Sequence, residues 1–412
     1  MDEVTLWVGI DLGSKQHQVC VLNAKREVVW NRAIAHSGEA ISAMADQLLE
    51  LANKNAEGIR VALETPQSAV AEMLMERGIA VFSLNPKQLD RFRDRHNVAG
   101  AKDDRLDAYV LADSLSTDQA KYRQVNLGNA QLVELRSMSR TRDEVLQDIN
   151  ALCNRIDAEL LRFYTEIRSL GSVQQDVWFA DLLELVPTPE AARKVRMPQL
   201  RVLLKKHRIR KHTPEQVHEV LRACSLQAAP GVAEAASSHI QMLLQRLRLA
   251  RQQERQCHAR IEQLLEELSK PDGETEGQRD AAIVQSLAGA GPIVSAILLA
   301  EASQALAERD YRRLRALSGV APVTKKSGTG KKPTLVMRQA CNQRLRNAMY
   351  HLAFGSMQRD ERAKAQYAAL RSRGHSHGRA LRGVADRILG VLVVMLQRGE
   401  MFDPTRRHPK AA

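Results

Sequence analysis

A chain of 412 residues that is 44% hydrophobic is too long for one ordinary core and too apolar for a disordered tail, so two or three folded domains are expected. Aromatic residues make up only 4%, while Leu, Ala, Arg, Glu and Gln abound, a balance that favours helices over a β-sandwich or barrel. The formal charge of +13 is concentrated: residues 301–412 hold 23 Lys and Arg against 8 Asp and Glu, net +15, and residues 1–300 hold 38 against 40, net −2, which favours a nucleic-acid partner over a basic face kept for solubility.

Residues 6–10, 18–22 and 28–34 read as three short strands joined by tight turns, an antiparallel meander. A helix over 39–53 places Ile41, Met44, Leu48, Leu49 and Ala52 on one face. Strand 59–63, a helix after Thr65-Pro66, strand 80–84 and a helix after Asn85-Pro86 follow. Three hairpin strands and then alternating helix and strand is the order of a ribonuclease-H-like fold, one of several α/β arrangements this pattern allows.

From about residue 132 the period becomes a heptad, with Leu135, Met138, Arg142, Val145, Ile149, Leu152, Ile156, Leu160, Phe163 and Ile167 in steps of three and four. A second such run includes Ile240, Leu247, Glu254, Ile261 and Leu268, and the two could pair as an antiparallel hairpin or between subunits, giving a dimer or tetramer. Between them, residues 171–232 form a basic helical insert with capped starts at Thr188-Pro189-Glu190 and Thr213-Pro214-Glu215, and a cluster over 205–212 that either touches phosphate or is a solvated face. Residues 271–277 are a linker by composition. The expected domains are therefore 1–125, α/β; 126–275, long coiled-coil helices with the insert; and 280–405, all-α. The last opens on Leu-Ala-Gly289-Ala-Gly291-Pro292, which looks like a helix-hairpin-helix turn whose backbone amides can hold a phosphate.

The five cysteines, Cys20, Cys153, Cys224, Cys257 and Cys341, contain no Cys-x-x-Cys pair, so neither a zinc ribbon nor a disulfide framework is expected. With no apolar run near ~18 residues, the expectation is a cytoplasmic protein without membrane contact. The string Gly374-His-Ser-His-Gly378 offers two histidines with no nearby third ligand and reads as a polar loop.

Four carboxylates carry the first chemical signal. Asp11 follows the first strand, Glu64 ends another, and Asp104 and Asp107 open a helix on one face at i, i+3. Convergent carboxylates are the hard oxygen ligands that two Mg²⁺ ions need, with positions left for water and a phosphodiester. Singly, each has a plainer role as a turn former or as a negative charge at a helix start. The second signal is Ser327 in a basic loop with Lys325, Lys326, Lys331 and Lys332, cations placed to neutralise phosphates.

The blocks Gly-Ile-Asp11, Leu-Glu64-Thr, Asn85-Pro86 and Lys102-Asp-Asp104-Arg-Leu-Asp107-Ala resemble the DEDD, RuvC-like domain of the insertion sequence one-ten family of transposases, which includes related pilin-gene invertases. The blocks Leu-Ala-Gly-Ala-Gly-Pro292, Leu317-Ser-Gly-Val-Ala-Pro322, Lys326-Ser327-Gly328 and Gly399-Glu-Met-Phe-Asp403-Pro404 resemble that family's serine transposase domain, in order. The resemblance implies that Asp11, Glu64, Asp104 and Asp107 bind metal and that Ser327 attacks DNA and becomes joined to it. It implies, too, donor and target DNA as substrates and a bridge RNA from the element as a partner. Residues 337–342 depart from the family's usual Ser-Lys-x-Gly stretch. The competing readings are a RuvC-like junction nuclease with water as nucleophile, a site-specific DNA invertase, and an architectural nucleic-acid-binding protein with inert carboxylates.

Overall fold

The computed structural model describes residues 4–65, 68–83, 89, 92, 103–125, 129–223, 228–229, 231–270, 276–325 and 334–405. The chain divides into two compact units, Met1–Ala130 and Gln131–Ala412.

The first unit is a mixed α/β layer built on β1 (Leu6–Leu12), β2 (Gln16–Asn23), β3 (Val28–Ala35), α1 (Gly38–Leu51), β4 (Ile59–Leu63), α2 (Ala69–Glu76), β5 (Ala80–Ser83), α3 (Asp104–Asp118) and β6 (Arg123–Gln124). The sheet order is β3-β2-β1-β4-β5-β6. The first three strands form the expected antiparallel meander, and β4 and β5 run parallel to β1. Strand alternation sends Val8, Ile10, Val19 and Val21 to the α1 and α2 side, while Trp7, Cys20 and Leu22 meet Ala108 and Ala112 of α3 on the other. Gly9 allows this second contact: a Cβ there would fall 2.0 Å from the Ala108 carbonyl oxygen and 2.5 Å from the Ala112 nitrogen.

Several boundaries differ from expectation for local reasons. The β1–β2 ladder continues through Leu12↔His17, so Asp11 lies within a strand and not after one. α1 stops at Leu51 because Asn53 and Lys54 take left-handed φ values of 53° and 64°. The start of α2 is set by Ser68, whose hydroxyl accepts from the Ala71 amide at 3.2 Å. Leu84 and Asn85-Pro86 lie outside the described residues.

Among the described residues, the second unit is helical apart from one hairpin. Its long helices are α4 (Ala130–Phe163) and α9 (Val232–Ser269), with α5 (Val177–Leu185), α6 (Pro189–Lys194), α7 (Met197–Lys206) and α8 (Pro214–Arg222) between them. Glu134–Arg260 at 2.7 Å, Arg142–Glu254 at 2.7 Å and Glu159–His239 at 3.0 Å join the long helices. Position falls along α9 as it rises along α4, so the two run antiparallel within one chain. Leu152, Ile156 and Leu160 share a core with Ile240, Leu243 and Leu247, and Leu135 joins Ile261, Leu264 and Leu268 in a second. The apolar seams are thus largely covered inside the chain, which removes the need for a second copy to cover them. In the insert, Thr188 and Thr213 cap α6 and α8 as read. Lys206 and His207 of the basic cluster are tied to Asp181, which Arg248 also holds.

The remaining elements are α10 (Glu276–Ser286), α11 (Pro292–Glu301), α12 (Ser303–Ala307), α13 (Tyr311–Leu317), β7 (Val323–Lys325), β8 (Thr334–Val336), α14 (Gln343–Arg359), α15 (Glu361–Ser372) and α16 (His377–Arg398). The segment read as a linker over 271–277 is already helical from Glu276, and 271–275 lie outside the described residues. Among the described residues no helix is long and apolar enough to cross a membrane.

Candidate functional site

The site in the first unit is built at the carboxyl ends of two neighbouring parallel strands. β1 and β4 pair through Ile10↔Leu63, so Asp11 and Glu64 each come immediately after the last pair of the parallel β1–β4 ladder, Asp11 still within β1 and Glu64 just past β4. By alternation both belong to the α3 side of the sheet, with Gly9 and Ala62. Both are half-buried. The third element is the first turn of α3, carried against β1 by the close approach at Gly9. There Asp107 is 4% exposed, and Asp104, one turn earlier, is exposed. Asp103 supplies the helix cap, its carboxylate accepting from the Arg105 amide at 3.1 Å, and Asp104 and Asp107 are the acidic residues of the first turn. At the far end of α3, Asp113 is ion-paired to Arg26 of the β2–β3 turn.

An oxygen-only donor set of this kind suits a hard cation. The structure brings Asp11 and Glu64 to adjacent strand ends and Asp107 to the helix packed beside them. Among the described residues, however, it gathers no group of three or more His, Cys, Asp or Glu with the geometry to hold a metal ion.

Two polar residues near Asp11 were missed in the sequence. Gln18, 8% exposed, lies directly across the β1–β2 ladder from Asp11 on the same face and donates to Asn31 at 2.5 Å. Its signal was a polar residue at a face position of an otherwise apolar strand. His17, on the opposite face, is 2.8 Å from His36, and burial and then His36 lower its pKa.

In the second unit, Ser327, Lys326, Lys331 and Lys332 lie outside the described residues, between β7, which ends at Lys325, and β8. Gly289 has φ +87° and sits where a Cβ would meet the Ser356 nitrogen at 2.5 Å, so its glycine identity serves the packing of this turn on α14. Gly291 is the N-cap residue of α11 and has open space around it. The Gly-His-Ser-His-Gly string, expected as a polar loop, is partly helical: His377 starts α16, its ring bonded to the hydroxyls of Tyr367 at 2.8 Å and Tyr350 at 3.3 Å.

Comparison with known proteins bears on both units. A family model for DEDD proteins of IS110 elements, described as a transposase, matches residues 8–165, the range holding all four carboxylates. A second, described as Transposase IS116/IS110/IS902 family, matches residues 281–368, the range holding Gly289, Gly291 and Ser327. The "Putative transposase y4uE" of Sinorhizobium fredii is 36% identical over 211 residues, which is 51% of this chain and 59% of that protein. The "Mini-circle putative transposase for IS117" of Streptomyces coelicolor is 29% identical over 98% of this chain and 97% of its own. The uncharacterized 43.6 kDa protein of insertion element IS110, also from Streptomyces coelicolor, is 25% identical over 98% and 96%. With both domains matched in order and relatives aligned along its whole length, the chain belongs to the IS110 family of transposases.

Proposed function

We propose that this transposase cuts and rejoins donor and target DNA through Ser327, with Asp11, Glu64, Asp104 and Asp107 as a metal-binding carboxylate set. The observation that carries the reading is the arrangement of the first unit, where Asp11 and Glu64 follow the last pair of the parallel β1–β4 ladder and α3, whose first turn bears Asp104 and Asp107, is packed against β1. Two Mg²⁺ ions on these oxygens would supply Lewis acidity to a phosphodiester.

The chain's own part is covalent. The Ser327 hydroxyl gives up its proton and attacks the phosphorus; the serine O–P bond forms, the bond from phosphorus to a DNA sugar oxygen breaks, and that oxygen takes up a proton and leaves as a free hydroxyl. A second DNA hydroxyl then attacks the phosphoserine and releases the serine, so rejoining needs no nucleotide cofactor. Lys325, Lys326, Lys331 and Lys332 offset phosphate charge around this loop. The element's bridge RNA selects the paired ends, and the chain works as a homo-oligomer because two ends must be held together, not because its helical seams need covering. In the turn at Gly289 and Gly291, the Ala290 and Gly291 amides donate to the Leu287 and Gly289 carbonyls, so these two amides do not serve phosphate.

The test is denaturing electrophoresis of the protein with element-end DNA and Mg²⁺. Wild type should form a protein-linked strand; Ser327→Ala should bind DNA and form none. Cutting by Ser327→Ala at the wild-type rate would make water the nucleophile and put the junction nuclease in its place.

A further inference from the structure

At the stem of the β7–β8 hairpin, two adjoining hollows of about 250 Å³ each share Gly319, Val320, Met337 and Arg382 in their walls. The charged groups facing them are Arg315, Arg346, Arg379, Arg382 and Asp386, with His375 beside them. Asp386 is engaged by Arg315 at 2.6 Å and by the Tyr311 hydroxyl at 3.0 Å, which leaves a local excess of three guanidiniums. No ion pair to a carboxylate is found for those three among the described residues.

Among the described residues, the side-chain bonds of Arg346 and Arg382 go to uncharged acceptors, so their positive charge is not offset there. Arg382 donates to the Met337 sulfur at 3.6 Å, and burial, then Arg346 and Arg379, push its pKa below the usual guanidinium range. Arg346 is anchored through its terminal nitrogens by Gln343 Oε1 at 3.1 Å and by the Arg338 carbonyl, while its Nε is buried without a hydrogen-bond partner. Gly319, with φ +66°, leaves room here: a Cβ there would lie 2.8 Å from the Cys341 sulfur and 3.0 Å from that Nε. A buried, unpartnered N–H and mutually repelling cations both cost stability unless an acceptor with negative charge arrives.

The same cleft is edged by an aromatic side chain that is not core. Tyr350 is 43% exposed, with the rings of His351 and His377 edge-on at 5.5 and 6.3 Å, and Phe354, one turn further along α14, is 38% exposed. Cations lining a groove beside an exposed ring are what an unpaired nucleotide strand requires, the cations for its backbone and the ring for a base.

We propose that this cleft holds an unpaired DNA strand, with Arg346, Arg379 and Arg382 on its phosphodiesters and Tyr350 stacked on a neighbouring base. The choice of DNA rests on the function proposed for Ser327, which the same hairpin carries; the anion cleft itself does not.

The experiment is fluorescence anisotropy of the intact chain in a Ser327→Ala background, so that no strand is cut, with labelled oligodeoxythymidine, duplex DNA and oligouridine. Arg379→Gln with Arg382→Gln should weaken oligodeoxythymidine binding at least about tenfold and flatten the slope of log affinity against log salt by about 1.4, roughly 0.7 for each phosphate that a guanidinium no longer neutralises. Arg379→Gln alone, on an exposed side chain where folding is not at stake, should flatten it by about 0.7. Tyr350→Ala should weaken binding about tenfold with the slope unchanged, and Tyr350→Phe should restore it. Exposed Arg359→Gln should change nothing. Wild-type affinity and slope in the double variant would overturn the cleft; an equal loss on duplex would overturn the unpaired strand; a loss confined to oligouridine would overturn DNA. The Ser327 reading is judged separately, by adduct formation, so either can fall while the other stands.

Discussion

Glu301, 5% exposed at the last residue of α11, sits where the helix dipole disfavours a negative charge. Burial raises its pKa, yet Arg140, Asn342 and Arg344 outweigh that and hold it below the usual carboxylate range. The bonds are Arg140 Nε at 3.0 Å, Asn342 Nδ2 at 2.7 Å and Arg344 Nη1 at 2.6 Å, so one carboxylate ties α4 to α11 and to the start of α14, just past the β7–β8 hairpin. Removing one partner of a buried ion pair costs about 3–5 kcal/mol, and Glu301→Ala belongs near the lower figure. Arg140 keeps 33% of its side chain in solvent and Arg344 still holds Asp143 at 2.8 Å. At about 2–4 °C per kcal/mol, the helical melting transition seen by circular dichroism should drop by about 6–12 °C. Glu301→Gln should lose roughly half of that, since it keeps the shape and the Asn342 contact but not the charge. Because the folded pKa is depressed, the stabilisation is present above the unfolded value of about 4.3 and disappears as pH falls through the folded one. The gap between wild type and Glu301→Gln should therefore close below about pH 4. A Glu301→Ala loss under about 1 kcal/mol at neutral pH, or a gap that stays constant into acid, would refute this reasoning.

Gly9→Ala should displace α3 from β1, because its new Cβ meets backbone, not a movable side chain; a loss of about 3 kcal/mol or insolubility is expected, and a wild-type melting curve would contradict the packing. Asp11→Ala, Glu64→Ala, Asp104→Ala and Asp107→Ala should each abolish strand cleavage in Mg²⁺ while gel-shift affinity for DNA stays within about twofold, as expected for lost metal ligands. Full cleavage by any two of them would remove the carboxylate assignment. Asp181 is held down to about 2, with burial opposing and Lys206, His207 and Arg248 prevailing. Its contribution is thus complete above about pH 4 and lost toward pH 2, and Asp181→Asn should cost about 1–2 kcal/mol at neutral pH after allowance for its exposed partners; equal melting temperatures at pH 7 would contradict it.

Where periodicity was strong, the fold was legible. The meander, α1, β4 and the capped starts at Thr188 and Thr213 follow from alternation and capping chemistry that act within a few residues. The two heptad runs were legible as seams but not in their pairing, since apolar seams alone leave direction open; Glu134–Arg260, Arg142–Glu254 and Glu159–His239 settle it as antiparallel. Asp11 was expected after its strand and lies within it, because the antiparallel ladder outlasts the parallel one by two residues, something no local propensity signals. Gly9 gave no sign of its role, which depends on a helix about a hundred residues away. Arg346, Arg379 and Arg382 were hidden for the same reason: on the chain they are three of many cations, and only the packing of α14 against α16 brings them to adjoining hollows whose one acid, Asp386, is held by Arg315.

Mass spectrometry of the proteolysed protein–DNA adduct tests Ser327 as the nucleophile most directly. Wild-type protein incubated with element-end DNA and Mg²⁺, then digested with nuclease and trypsin, should yield a peptide bearing a nucleotide through a phosphoserine at Ser327. Cut DNA with no nucleotide-bearing peptide, or with the nucleotide on another residue, would contradict the account.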